Sequence, residues 1–306
     1  MTHNLSCRLP LGSFPTGVGG FIDFPGGKFS RDPQSAFSYD AASGRWLTVP
    51  RALISPDRAS YAASEFNKVP PYGSLIRIVD MSNDNERASW RVEGNAGVIG
   101  WTLGGIYFIR YASRDPNFLG PELWVLNSTT GERRLVTSQS KPGSGLPLFK
   151  AWTALGGGAV WSKTVPDTAP ATDILVRVDL SGGHAVTWLK APGLEVLGWD
   201  EQGHPLVAFS ADVLRRSVRL IRLLGPNQPS SIGLDGFAPA GTLPASEVTD
   251  EHGAWFAAAD GSIWLLRPGP QEKLARVGAV PLPPPVTPQS DVGFELARVL
   301  VAGPCL

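Results

Sequence analysis

Side chains able to do chemistry are few, and they gather at only two places. The chain has four histidines, His3, His184, His204 and His252. His204 follows Asp200 and Glu201, and His252 follows Asp250 and Glu251. Mixed carboxylate and imidazole ligands suit a divalent metal, so Asp200, His204, Asp250 and His252 form the candidate metal set. Asp, Gly and His also suit tight exposed turns on conformational grounds alone, and that plainer reading is preferred. Nucleophilic catalysis needs a Ser or Cys next to a base, and no histidine stands in a nucleophile motif. Paired carboxylates for glycoside chemistry are defined by distance, which spacing along the chain does not supply. No phosphate-binding loop is present. Gly104-Gly105, Gly156-Gly157-Gly158 and Gly182-Gly183 each stand where a hairpin must turn.

Binding chemistry is sought in the long, irregular loops, because variable loops on a rigid scaffold are where recognition usually sits. Tyr72, Arg114, Asp115, Phe118, Asp167, Arg215 and Arg216 are the candidates there. Ordinary solvated loop residues would look the same. Ten tryptophans could suggest a stacking surface for sugars. Trp101, Trp152 and Trp199 recur at one position of a repeat, however, and Trp46, Trp90 and Trp188 at another, so packing between repeats is the expectation for most of them.

The elements that must carry these residues are hairpins. Two strands joined by a polar turn recur six times, at residues 37–49, 75–90, 123–136, 175–188, 220–234 and 263–277. Each is a run of β-branched, aromatic and apolar residues broken by Gly, Asn, Asp, Ser or Pro. A second hairpin precedes five of the six, at residues 52–62, 98–109, 148–161, 195–209 and 246–257. Its positions Ile54, Trp101, Trp152, Trp199 and Val248 align at spacings of about 50 residues, slightly above a common propeller-repeat period.

Four strands per repeat make a propeller blade. The expected fold is all-β: a six-bladed β-propeller of four-stranded antiparallel blades in one domain, residues 1–306. Residues 51–280 would hold five blades. The remaining blade would combine 17–50 (strands 20–24, 37–41 and 45–49) with 290–306, whose strand 294–302 closes the ring and removes a free sheet edge. The Pro-rich stretch 281–289 would be an extended connection. Termini meet in such a ring, so Cys7 and Cys305, at opposite ends of the chain, are expected to form a disulfide. A disulfide implies an oxidising compartment.

Ile54-Ser55-Pro56-Asp57-Arg58, the aromatics Trp101, Trp152 and Trp199, and the turn glycines Gly104, Gly156 and Gly203 together resemble the WD40-like Pro-Asp repeat of TolB-type propellers. The resemblance covers most of residues 50–265 in degenerate form. It implies six blades and a place in the bacterial cell envelope. It carries no reaction, and no Gly-x-Ser-x-Gly elbow supports the peptidase branch of such proteins.

Bulk properties exclude some classes. The 306 residues carry zero net formal charge with no basic stripe, which argues against nucleic acid. No run of about 18 apolar residues predicts a membrane span, and no apolar core near the N-terminus marks a signal peptide. The expectation is a non-catalytic extracytoplasmic propeller, monomeric and without cofactor, that binds a protein or glycan. The alternative is a metal-dependent propeller enzyme, a lactonase-like hydrolase or a lyase. The sequence names neither partner nor reaction.

Overall fold

The structure, a computed structural model, describes residues 5–14, 19–67, 73–112, 120–138, 152–164, 172–181, 184–200, 202–210, 218–235, 244–258, 260–267, 273–281 and 298–306. They are all-β: strands joined by turns, with one short 3-10 turn at Arg51–Leu53. Two compact units divide the chain. One is Met1–Thr48 with Pro192–Leu306, and the other is Val49–Ala191.

The first unit begins with β1 (Arg8–Phe14), β2 (Gly20–Asp23) and β3 (Lys28–Arg31), followed by the hairpin β4 (Ser38–Asp40) and β5 (Arg45–Leu47). The second unit opens with β6 (Ser60–Asn67), β7 (Gly73–Asp80) and β8 (Glu86–Glu93), which form a three-stranded sheet. Two four-stranded antiparallel sheets follow in it. One is β9 (Asn95–Thr102), β10 (Gly105–Ala112), β11 (Glu122–Leu126) and β12 (Arg133–Ser138). The other is β13 (Trp152–Gly156), β14 (Ala159–Thr164), β15 (Asp173–Asp179) and β16 (Ala185–Ala191).

The chain then returns to the first unit with two more four-strand meanders. These are β17 (Glu195–Trp199), β18 (Pro205–Ser210), β19 (Val218–Gly225) and β20 (Gln228–Asp235), then β21 (Pro244–Asp250), β22 (Gly253–Ala258), β23 (Ser262–Arg267) and β24 (Lys273–Ala279). Their last strands pair in parallel at Gly233–Asp235 against Lys273–Ala275, which joins the two into one eight-stranded sheet. Finally β25 (Arg298–Val301) pairs antiparallel with β1, from Leu11 opposite Val301 to Phe14 opposite Arg298.

Burial explains why these sequences make these strands. In β22, Gly-Ala-Trp-Phe-Ala-Ala is buried throughout, and β23 is buried in all but its last residue. Strands covered on both faces read as continuous apolar runs. In β8, an edge strand of its sheet, only Val92 is buried. Each core lies between two strand meanders. Phe108, Ile106 and Leu126 pack on Ile76, Ile78 and Val92. Val160, Val176 and Val178 pack on Tyr107, Ile109 and Val125. Leu206, Leu220 and Ile232 meet Phe256, Trp264 and Leu266. Leu9, Leu11, Ile22 and Val301 meet Trp255, Ile263 and Leu265.

Three expectations of strand placement are corrected. The chain's last strand does join the N-terminal sheet, but its partners are residues 8–14, 20–23 and 28–31, in the order β25-β1-β2-β3. The segment 37–49, expected in that sheet, is a separate hairpin tied to the C-terminal segment by a bond from the Tyr39 N–H to the Ala302 carbonyl (2.9 Å). Pro10 and Gly12 hid β1, since both weaken a strand reading. Pro10 instead uses its carbonyl, which accepts the Ala302 N–H at 2.9 Å. Residues 52–55 are not a strand: the 3-10 turn precedes a single bridge between Ile54 and Tyr61. Pro50 and Pro56 flank this segment, and neither has an N–H for a ladder.

Cys7 and Cys305 are joined (S–S 2.05 Å, Cα–Cα 5.5 Å), as the sequence suggests. Among the described residues no helix is long and apolar enough to cross a membrane.

Candidate functional site

All seven loop candidates, Tyr72, Arg114, Asp115, Phe118, Asp167, Arg215 and Arg216, lie outside the described residues. The four metal candidates are described, in the first unit. Asp200 and His204 bracket the β17–β18 turn, and Asp250 and His252 open the β21–β22 turn. Both turns line one cavity of about 260 Å³, together with Gln202, Arg222 and Glu251.

Neither carboxylate is held out to a ligand there. Asp200 Oδ1 accepts the N–H groups of Gln202 (3.0 Å) and His204 (2.8 Å). Its Oδ2 lies 3.1 Å from His204 Nδ1 and 2.8 Å from Arg222 Nε. Asp250 Oδ1 accepts the His252 N–H at 2.8 Å. Its Oδ2 accepts from the Trp255 indole (2.9 Å) and from the Cys305 N–H (2.7 Å). Among the described residues no three His, Cys, Asp or Glu side chains are grouped as a metal would need. As arranged here these residues do not fit a metal centre. What they do is clear from their bonds: Asp200 shapes a turn, and Asp250 ties a turn, a fully buried tryptophan and the terminal disulfide together.

The second unit presents a different hollow. A cavity of about 640 Å³ lies where the turns of its first two sheets come together. One wall is the segment Ser55-Pro56-Asp57, whose geometry follows from its residue types. The Ser55 hydroxyl accepts the Ser60 N–H (2.9 Å) and lies 2.6 Å from Asp57 Oδ1, which also accepts the Ala59 N–H (3.0 Å). Arg58 takes a left-handed conformation (φ 57°) to complete the turn. The Ser55 hydroxyl, then the Ala59 N–H, hold the Asp57 carboxyl below the usual carboxylate range.

The opposite wall is the β9–β10 turn, Trp101-Thr102-Leu103-Gly104-Gly105. Gly105 is obligatory there: its φ is 124°, and a Cβ would come 2.6 Å from the Leu126 carbonyl oxygen. Trp101 packs partly on the core of Ile78 and Ile106, while Leu103 is 95% exposed. The floor includes the β11–β12 turn, where Asn127 Oδ1 accepts the N–H groups of Thr129 (2.9 Å) and Thr130 (3.0 Å).

This last turn is one of a set that the sequence repeats. Asp40, Asp80 and Asp179 each end a strand and Asn127 directly follows one, and each accepts N–H bonds from residues two or three further on, the Asx-turn geometry. Asp80 is also bonded by the Ser82 hydroxyl and by Arg87, whose Nε donates at 2.8 Å. The Ser82 hydroxyl and N–H, with Arg87, lower its pKa to about 2. The Ser181 N–H, then its hydroxyl, lower that of Asp179. Other charged side chains of this unit also pair, Arg110 with Glu122 (2.6 Å) and Arg77 with Glu65 (2.8 Å).

Sequence reasoning placed Asp57, Trp101 and Gly104 in turns but did not bring them to one cavity with residues 127–129. The recurrent turn signature marks Asn127 as a turn residue, and only the fold brings that turn to the cavity.

No family model matches the chain, and no curated protein matches its sequence. Solved structures give only distant likenesses. An acylaminoacyl peptidase in complex with Z-Gly-Gly-Phe-chloromethyl ketone is 8% identical with a TM-score of 0.46, over 82% of this chain and 41% of that one. TolB from Acinetobacter baumannii is 14% identical with a TM-score of 0.39, over 83% and 54%. An uncharacterized protein from Listeria monocytogenes EGD-e is 11% identical with a TM-score of 0.39, over 85% and 88%. The chain thus spans less than two thirds of the peptidase and of TolB. At such identities and scores no function carries across.

Proposed function

We infer that the chain is a six-bladed β-propeller acting outside the cytoplasm as a non-catalytic module that binds a protein or glycan. One observation carries this reading: the acidic side chains of its turns bond to the protein's own N–H and hydroxyl groups, so they build scaffold and leave hollows between turns. The repeated four-stranded sheets, the final strand in the N-terminal sheet and the disulfide between the chain ends support the propeller and the oxidising compartment. The test is capture from an envelope extract and on immobilised glycans, with Arg114→Glu and Arg215→Glu as loop variants. A partner lost with either variant at unchanged melting temperature supports the reading. Captured partners indifferent to both remove the proposed loop face.

The shared cavity of the Asp200 and Asp250 turns favours a second reading, a metal-dependent enzyme. It would require those turns to open. Calcium, zinc or manganese should then raise the melting temperature of the wild type but not of His204→Ala or His252→Ala. A melting temperature indifferent to all three metals ends it.

A further inference from the structure

We propose that the cavity of about 640 Å³ in the second unit is a binding site for a neutral saccharide. This deepens the binding-module reading and rests on it.

The volume lies within the range of small-molecule sites, roughly 300–1,000 Å³. The lining decides the class of ligand. Charge comes first. Arg87 lines the cavity, but its guanidinium is bonded to Asp80. Asp57, held in its ionised form, adds a negative charge beside it. For a phosphate, sulfate or carboxylate ligand, the lining residues offer no cationic side chain besides the bonded Arg87 to offset that charge. A neutral ligand meets no such penalty.

Hydrogen-bonding capacity comes next. The Ser55 hydroxyl and the Ala59 N–H both bond to Oδ1 of Asp57, and a carboxylate with about four lone-pair sites retains acceptor capacity for a ligand. Asn127 Oδ1 is taken by two N–H groups, so Nδ2 is left as a donor. The Thr102 hydroxyl accepts the Gly104 N–H at 3.0 Å and retains its proton to donate. The exposed Thr129 hydroxyl can do both. Such mixed, closely set donors and acceptors match vicinal hydroxyls, each of which donates and accepts.

Apolar contact completes the fit. A sugar ring also has faces of C–H groups, and these bind best on a rigid indole or aliphatic surface. Trp101 is held on one side by the core and reaches the cavity on the other. Leu103, on the same turn, stands 95% exposed at the rim, without a packing role in the fold. Together they add an apolar surface beside the polar lining groups.

The experiment is a glycan array with neutral hexose, N-acetylhexosamine and deoxyhexose termini beside sialylated and sulfated ones, probed with the full chain. Neutral glycans are expected to bind, and Leu103→Asp and Trp101→Phe each to weaken that binding roughly tenfold or more. Leu103→Asp lies at an exposed site, and Trp101→Phe retains a ring against the core; unchanged melting temperatures show that both variants are folded. Binding to sialylated or sulfated glycans alone overturns the neutral class. Neutral binding equal in wild type and both variants overturns the site and leaves the binding-module reading standing. An array with no binding overturns the inference, and the module reading is then judged separately by its protein arm, the Arg114→Glu and Arg215→Glu captures.

Discussion

In the unit made of residues 1–48 and 192–306, the Cys7–Cys305 bridge joins residues beside the first and last strands, and a carboxylate at the end of β21 holds Cys305. Asp250 accepts the Cys305 N–H, and Arg8 and Leu306 exchange backbone bonds of 3.0 Å in both directions beside it. The unit of residues 49–191 contains no cysteine. Its turns are shaped by short polar side chains in or beside them, Ser55 and Asp57, Asp80 with Ser82, and Asn127. The difference follows from how far apart in the sequence the paired strands lie. β1, β2 and β3 are consecutive, but β25 is recruited from nearly 300 residues away, and a disulfide and a carboxylate hold the residues beside it. Sheets made of one continuous meander need only good turns. Turns built this way hold their polar atoms near the surface, and the cavity with mixed polar lining is found among them.

The largest expected effect tests the covalent half of that contrast. Cys7→Ser with Cys305→Ser, or reduction by a thiol, should lower unfolding free energy by about 2–5 kcal/mol, since the bridge restricts an unfolded chain of nearly full length. Hydrogen exchange should rise first in β25 and β1. Equal stability of oxidised and reduced protein in denaturant melts would remove the latch from the account.

A somewhat smaller effect is expected of Asp250→Ala. It leaves the Trp255 and Cys305 N–H groups without their acceptor, and an unsatisfied buried donor costs about 1–3 kcal/mol. The loss should not add to that of the cysteine variants, because the groups touch. Strict additivity in a double-mutant cycle would show that carboxylate and disulfide act independently.

The smallest effect concerns the other unit. Asp80 has a folded-state pKa of about 2, below its unfolded value of 3.8. Its contribution is therefore present above pH 3.8 and is lost as pH falls toward 2. Asp57 and Asp179 shift in the same direction. Asp80→Asn should flatten the stability profile between about pH 4 and 2 and change little at pH 7 beyond the lost ion pair. A wild-type slope retained by this variant would assign the acid sensitivity elsewhere.

Local features were legible from residues alone. The polar hairpins ending at Asp80, Asn127 and Asp179, and the apolar runs of β22 and β23, carry their own turn chemistry and periodicity. Less was legible at the chain ends. β1 carries Pro10 and Gly12, and β3 is a short, half-exposed Lys-Phe-Ser-Arg that no hydrophobic pattern marks. Residues 52–55 keep the residue types of a repeat, but prolines on either side deny them a ladder. For the candidate site the sequence located Trp101 and Asp57 in separate turns. Nothing in their spacing shows that Leu103 stays exposed or that the turn at Asn127 reaches the same cavity.

What the sequence determined by itself is the all-β class, the repeated hairpins and the pairing of its two cysteines. Alternation and turn preference are properties of neighbouring residues, and the expected cysteine pairing rests on the closed ring that those repeats imply. Tertiary structure alone decided that the final strand lies on residues 8–14, that residues 38–47 stand as their own hairpin, and that Asp200 and Asp250 spend their charge on indole, guanidinium and N–H groups. Those outcomes depend on which donors a fold brings within about 3 Å of a carboxylate, and that distance is set by packing between segments far apart in the chain.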